Sequence, residues 1–327
     1  MRKFFLFLLG TFIAITFFEL FLRFSPFELG VSPVHYDAEV GMWHKENFSS
    51  NKISECYNTP YYFDEKGLIK NNYTYNPNKK DILIFGDSYI EALMVHNPNI
   101  IHNALYKVFQ GKYNFINYGL SGISPIQEYI MMTKKVDFRH TKALLQFIRI
   151  ESDIYDVDPS NLDSTARPTV FMHFKDKEHY TTTPPKPYDL KEKIRDFMGS
   201  FELYIFLRKG IYYMKQHLQT KKKKKIIKKE KEDLTINWRQ IEGVLYQTKK
   251  LLLAKHISYT VLLYGSNKAM NKHLKVLLDS LNISYYDLVD FAKKRNFTLE
   301  HFPCDSHWND ATHLQIADII KKEHLLE

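Results

Sequence analysis

The chain of 327 residues is longer than one ordinary domain, yet it carries no internal repeat and shows a single strong break in composition, which points to one main domain with appendages. Apolar residues make up 44%, ample for a core, and the net charge of +9 comes mostly from one run of lysines. Paired-cysteine and His-x-x-x-His spacings, a Walker loop and a dinucleotide glycine fingerprint are all missing, so metal and nucleotide chemistry lack their usual signatures.

Met1-Arg2-Lys3 opens the chain, and residues 4–18 are apolar apart from Gly10, Thr11 and Thr16; the pattern continues to Leu22 before Arg23. About twenty such residues span a bilayer, with the basic end left in the cytoplasm. A cleaved signal peptide and a buried soluble helix are the alternatives. No small-x-small cleavage site follows, which favours an uncleaved signal anchor over residues 1–24. Glu19 and Arg23, four apart, are placed to pair on one helix face. With the anchor retained, everything after it is extracytoplasmic, on the periplasmic or cell-surface side. In that oxidising compartment the only two cysteines, Cys56 and Cys304, become a possible disulfide. Export also weighs against nucleic acid as a partner.

Residues 25–78 read as an irregular wrapping segment, with one short strand and turn at 61–67. The run 81–85 is a strand, followed at once by Gly86-Asp87-Ser88 and by helical spacing at Ile90, Leu93 and Met94. Gly86 allows a sharp turn that leaves Ser88 at or just before the helix start, displayed as a nucleophile or simply capping the helix. After Asn97-Pro98-Asn99 comes a helix through Ile101, Leu105 and Phe109. A strand at 113–118 ends in Gly119, Gly122 and Pro125, and a third, at 143–150, follows the next helix.

An insert occupies about residues 158–237. Its first half looks like loop and residues 201–214 look like an aromatic-rich helix. Residues 221–231, with eight lysines, form either a solvated loop or a contact for anionic lipid or polysaccharide. Helix (238–255), strand (257–264), helix (268–281) and strand (283–288) then alternate up to a loop and a last amphipathic helix through Leu314, Ala317 and Ile320. Five strands alternating with helices predict an α/β, doubly wound, flavodoxin-like parallel sheet with helices on both faces. Its ligand site lies at the carboxyl ends of the strands. Ser88, Gly119 and Gly122, Ser152 and Asp153, and Asp305 and His307 all fall on that rim.

The loop before the last helix reads Cys304-Asp305-Ser306-His307-Trp308-Asn309-Asp310-Ala311-Thr312-His313. Together with Gly86-Asp87-Ser88 and Asn117-Tyr118-Gly119-Leu120-Ser121-Gly122, in that order, it makes residues 79–327 resemble the SGNH (GDSL-type) hydrolase superfamily. The resemblance implies Ser88 as nucleophile, His307 as base and Asp305 as the acid that orients it, with Glu300 as the alternative acid. The acid often stands three residues before the histidine in that family. Here it stands two before, a spacing found in some envelope acyl-transferring branches. Oxyanion donors would be the backbone N–H groups of Ser88 and of Gly122 or Gly119, although the two glycines also suit an ordinary strand-end turn. The family's third donor is an Asn in Gly-x-Asn-Asp, where this chain has Ile150-Glu151-Ser152-Asp153. Ser152 then stands in with shorter reach, and Asp153 and Asp87 are supporting residues.

The expectation is a membrane-anchored serine esterase or O-acyltransferase of the cell envelope that needs no cofactor and acts on acetyl or other short acyl groups of a glycan or lipid. The rival is a non-catalytic carbohydrate-binding or assembly protein with a degenerate site.

Overall fold

The computed structural model describes residues 2–24, 32–158, 169–208, 210, 211, 214 and 234–326. The lysine run at 221–231 lies outside them. Two compact units emerge: Met1–His35 with Pro187–Asp233, and Tyr36–Lys186 with Leu234–Glu327.

In the first unit, α1 (Arg2–Phe24) is a single exposed helix long and apolar enough to cross a membrane. Near its end Arg23 pairs with Glu19 at 2.9 Å, as the spacing predicts. The backbone N–H groups of Glu202 and Leu203 also donate to Glu19, at 3.1 and 2.9 Å. Residues 202–208 are helical, within the expected helix at 201–214.

The second unit begins within β1 (Val34–Asp37), which pairs with β2 (Gly41–His44), and β3 (Ser49–Ser54) and β4 (Tyr57–Tyr62) follow as an antiparallel ribbon. This corrects the irregular reading of residues 32–78. The strands escaped notice because β3, Ser-Ser-Asn-Lys-Ile-Ser, is largely exposed and has no apolar alternation to betray it.

The main sheet consists of β5 (Asp81–Phe85), β6 (Asn114–Asn117), β7 (Thr141–Arg149), β10 (Ser258–Tyr264) and β11 (Ser284–Asp287). All its pairs are parallel and the order is β11-β10-β7-β5-β6, the doubly wound arrangement expected from the alternation. Ile82 and Ile84 of β5 join the apolar cluster formed with α3 (Ile101–Val108) and the last helix. Leu83 and Phe85, at the alternating positions and equally buried, face the other side. Of the remaining helices, α2 (Ser88–Glu91) is a single turn, α4 (Pro125–Lys134) follows β6, and α5 (Ile150–Asp156) follows β7 directly. The helix expected through Leu93 and Met94 stops early because Ala92 takes a left-handed conformation, φ +50°.

The described residues of the insert hold more regular structure than its composition suggests. It holds the ribbon β8 (Phe171–Phe174) and β9 (Tyr180–Thr183), and α6 (Leu190–Met198) capped by Asp189. After it come α7 (Thr235–Leu253), α8 (Lys268–Ser280), α9 (Leu288–Lys294) and α10 (Asp310–Lys322). Helix α9 was missed because its seven residues run straight on from β11, and Asp287, the last residue of that strand, caps it through the Val289 and Asp290 amides.

Candidate active site

The turn after β5 sets the site. A Cβ on Gly86 would fall 2.4 Å from Ile90 Cγ1, so only glycine lets the chain reverse this tightly into α2. Asp87 is the helix cap: its Oδ1 accepts the Tyr89 N–H at 2.9 Å and the Tyr264 hydroxyl at 2.8 Å. With the cap supplied by its neighbour, Ser88 occupies the first helical position and its hydroxyl is left for another partner. That partner is His307: Ser88 Oγ and His307 Nε2 are 2.7 Å apart.

The far side of the imidazole is held as closely. His307 Nδ1 lies 2.6 Å from Asp305 Oδ1, and the other oxygen of Asp305 accepts the Tyr57 hydroxyl at 2.9 Å. A carboxylate facing Nδ1 assigns the ring proton to that nitrogen and leaves Nε2 free to accept from Ser88. Burial pushes the Asp305 carboxyl up, but His307 and the Tyr57 hydroxyl outweigh it and hold the group below the usual carboxylate range. Tyr57 is itself pushed up to about 12, by burial and by Asp305, and so remains a donor. Glu300, the alternative acid, instead accepts from the Asn309 side chain at 3.0 Å.

Loop geometry explains why residues two apart can meet. The Phe302 amide donates to the His307 carbonyl at 3.0 Å and the Asp305 amide to the Phe302 carbonyl at 3.2 Å, which closes the loop on itself. Tyr89 ties it to α2 through a 2.6 Å hydrogen bond to the Ser306 carbonyl. Cys304 is disulfide-bonded to Cys56, with Cα atoms 5.8 Å apart. The bridge joins the turn between β3 and β4 to this loop, and Tyr57 is the residue next to Cys56. Sequence reasoning passed over Tyr57, although the suggested Cys56–Cys304 pairing would have brought it beside Asp305.

The other rim residues have varied roles. The Gly119 amide is already occupied, donating to Asn117 Oδ1 at 2.8 Å, while Asn117 Nδ2 reaches the Ile90 carbonyl at 2.8 Å. Gly119 is needed for close approach, since a Cβ there would lie 2.3 Å from the Glu91 amide nitrogen. Gly122, with φ +69°, takes the left-handed conformation that glycine adopts without strain. Ser152 sits on α5 and its hydroxyl donates to Asp153 Oδ1 at 3.2 Å. Asp153 in turn accepts the Arg149 amide at 2.7 Å.

Beneath the rim, Asp87, Glu128 and Asp153 are all buried. Burial raises each carboxyl, and repulsion by neighbouring carboxylates adds to it at two of them: Glu128 is pushed up to about 8 and Asp153 well above its usual range. Asp87 is raised by burial too, with the Tyr89 amide, Tyr264 and Arg149 pulling the other way. A second buried pair, His44 Nε2 to Glu91 Oε1 at 2.7 Å, fastens β2 to α2, and His44 Nδ1 faces the Gly67 carbonyl at 3.0 Å.

Comparison with known proteins places these features in context. No protein-family model and no curated protein matches the chain. Among solved structures it is similar to a psychrotrophic esterase from Pseudoalteromonas, with 11% identity, a TM-score of 0.41, and coverage of 76% of this chain and 100% of that one. A protein named as a GDSL-like lipase from Bacteroides ovatus shows 12% identity, a TM-score of 0.41, and coverage of 76% and 100%. An acetylxylan esterase from Geobacillus stearothermophilus shows 13% identity, a TM-score of 0.38, and coverage of 75% and 93%.

Proposed function

We propose that the protein is a serine-dependent esterase or O-acyltransferase working through an acyl-enzyme on Ser88. The observation that carries this reading is the unbroken chain Ser88 Oγ, His307 Nε2, His307 Nδ1, Asp305, at 2.7 and 2.6 Å, with the helix cap supplied by Asp87 instead of Ser88. His307 takes the serine proton as Oγ attacks the ester carbonyl, Asp305 stabilises the imidazolium, and His307 returns the proton to the departing alcohol. The Ser88 amide at the start of α2 and the Gly122 amide are the oxyanion donors of this scheme. Water or a second alcohol then releases the acyl group, by hydrolysis or transfer.

The substrate is an acylated glycan or lipid of the cell envelope, with acetyl or another short acyl group. Helix α1 anchors the chain and leaves the sheet domain on the extracytoplasmic side. The Cys56–Cys304 bridge supports that placement, because such bonds persist in oxidising compartments.

A second reading, a binding module on a degenerate site, draws on Ser152. Its hydroxyl is turned to Asp153, and the loss of one oxyanion donor costs about 2.7–4 kcal/mol in the transition state. A serine-reactive phosphonate separates the two. Labelling of the wild type, none of Ser88→Ala and at least tenfold slower labelling of His307→Ala are the expected results. A folded wild type that takes no label, cleaves no ester and still binds a glycan would leave the binding module.

A further inference from the structure

Beside Ser306, and walled by Tyr89, Tyr264 and Trp308, lies an open cleft of about 630 Å³. Much of the rest of its wall is apolar, with Val289, Phe297 and Leu299, which suits the body of an organic ligand rather than water alone. Two cationic side chains also line it, Arg149 at the end of β7 and Lys293 on α9, together with His301, which burial and the nearby Arg149 hold towards its neutral form.

Arg149 is the unusual member. Its guanidinium stacks over the Tyr89 ring, 4.8 Å from the centroid, and it makes no ion pair with any carboxylate among the described residues. The acid whose charge it feels, Asp87, is buried beneath the rim and drawn towards neutrality by that burial. Glu151, the carboxylate of the cleft, is hydrogen-bonded within the cleft's own wall: its Oε1 accepts the Ser266 amide, the Ser266 hydroxyl at 2.9 Å and the Asn267 amide at 2.8 Å. Lys293 likewise has no ion pair among the described residues. Glu151 keeps its own charge, so the cleft sets two cations, Arg149 and Lys293, against one carboxylate and is left net positive, with the guanidinium stacked on an aromatic ring beside an apolar wall. A half-buried guanidinium fork with no carboxylate partner among the described residues is suited to a planar or tetrahedral oxyanion, which it binds through two parallel hydrogen bonds.

We propose that this cleft is the substrate's second subsite and that Arg149, with Lys293 beside it, seats an oxyanion (a carboxylate or a phosphate) carried on an apolar body next to the scissile ester. This rests on Ser88 as the nucleophile and narrows the substrate class to anionic esters. Tyr89 links the two sites directly: its ring lies 4.7 Å from that of His307 and beneath the Arg149 guanidinium, and its hydroxyl holds the Ser306 carbonyl. An anion seated on Arg149 is thus held within one aromatic ring of the general base.

The test uses the full chain and three acetyl esters of similar size: 4-acetoxybenzamide, 4-acetoxybenzoate and 4-acetoxyphenyl phosphate, each corrected for spontaneous hydrolysis. The wild type is expected to favour at least one anionic ester over the amide by about tenfold or more in kcat/KM, mostly through KM, as a charged hydrogen-bond pair requires. Arg149→Gln should bring that ratio close to one and Arg149→Lys should keep part of it. The carboxylate and phosphate arms tell which oxyanion fits. Equal losses on the neutral and charged esters, or no preference in the wild type, would overturn the proposal. Binding of 4-hydroxybenzoate and phenyl phosphate to Ser88→Ala, followed by calorimetry with and without Arg149→Gln, separates the subsite from the chemistry. Arg149-dependent binding without turnover of any ester removes the nucleophile and keeps the subsite; absence of Arg149-dependent binding removes the subsite.

Discussion

At the scale of single residues, neighbours divide tasks that one residue could not perform together. Asp87 satisfies the amides that open α2, so Ser88 Oγ is available to His307, and Tyr57 satisfies the Asp305 oxygen that His307 leaves free. Tyr57→Phe keeps the ring against Phe302, 5.1 Å away, and deletes only the hydroxyl. A hydrogen bond to a charged group is worth about 1.5–3 kcal/mol, less where solvent reaches it, so an approximately three- to tenfold fall in kcat with little change in KM is expected. Steady-state kinetics on a soluble ester checks it. Glu128 supplies the pH argument. Its carboxyl is raised from 4.5 to about 8, chiefly by burial, so the folded state holds a proton that the unfolded chain has released. Its contribution to stability is fully present below pH 4.5 and is lost as pH rises through about 8. Glu128→Gln cannot lose a proton and keeps an acceptor for the Gln146 amide, now 2.5 Å from Glu128. Urea denaturation should therefore find the variant more stable than wild type at pH 9 and no more stable at pH 5; the same difference at both values would refute the assignment.

Elements are joined at the site by few but strong ties. The sheet positions β5 and α2, whereas the Asp305–His307 loop belongs to no strand and depends on the disulfide, on Tyr89 and on its own turn. Replacing both Cys56 and Cys304 by Ser should cost about 2–5 kcal/mol of stability, as for native bridges in small secreted domains. It should also lower kcat more than a remote destabilisation would, because Tyr57 and Asp305 flank the two sulfurs. Denaturant melts and kinetics below the transition distinguish these effects, and unchanged kcat in the folded double variant would show that the loop holds its geometry without the bridge.

For the molecule as a whole, the reading of α1 as a retained anchor decides what surrounds the catalytic face. Arg2 and Lys3 then stay in the cytoplasm, and the chain after about Phe24 follows on the other side. A reporter active only after export, fused at the C-terminus, should be active, and carbonate extraction should leave the protein in the membrane. Release of a shortened soluble chain would identify a cleaved leader instead.

The alternation of short apolar runs with helical spacing is enough to specify the parallel sheet, because each buried strand must be apolar on both faces and each helix must cover one of them. The expectation of Ser88, Asp305 and His307 on one rim follows from the same periodicity. Their contacts do not, since 217 residues separate Ser88 from Asp305 in the sequence. The ribbons of residues 32–78, Tyr57, the His44–Glu91 pair and Arg149 stacked on Tyr89 were illegible for a related reason: each gets its meaning from a neighbour distant in sequence. Sequence periodicity records which face of an element is buried. Only the tertiary structure decides which polar groups meet there, because hydrogen bonds and charge pairs depend on ångström distances that local pattern does not encode.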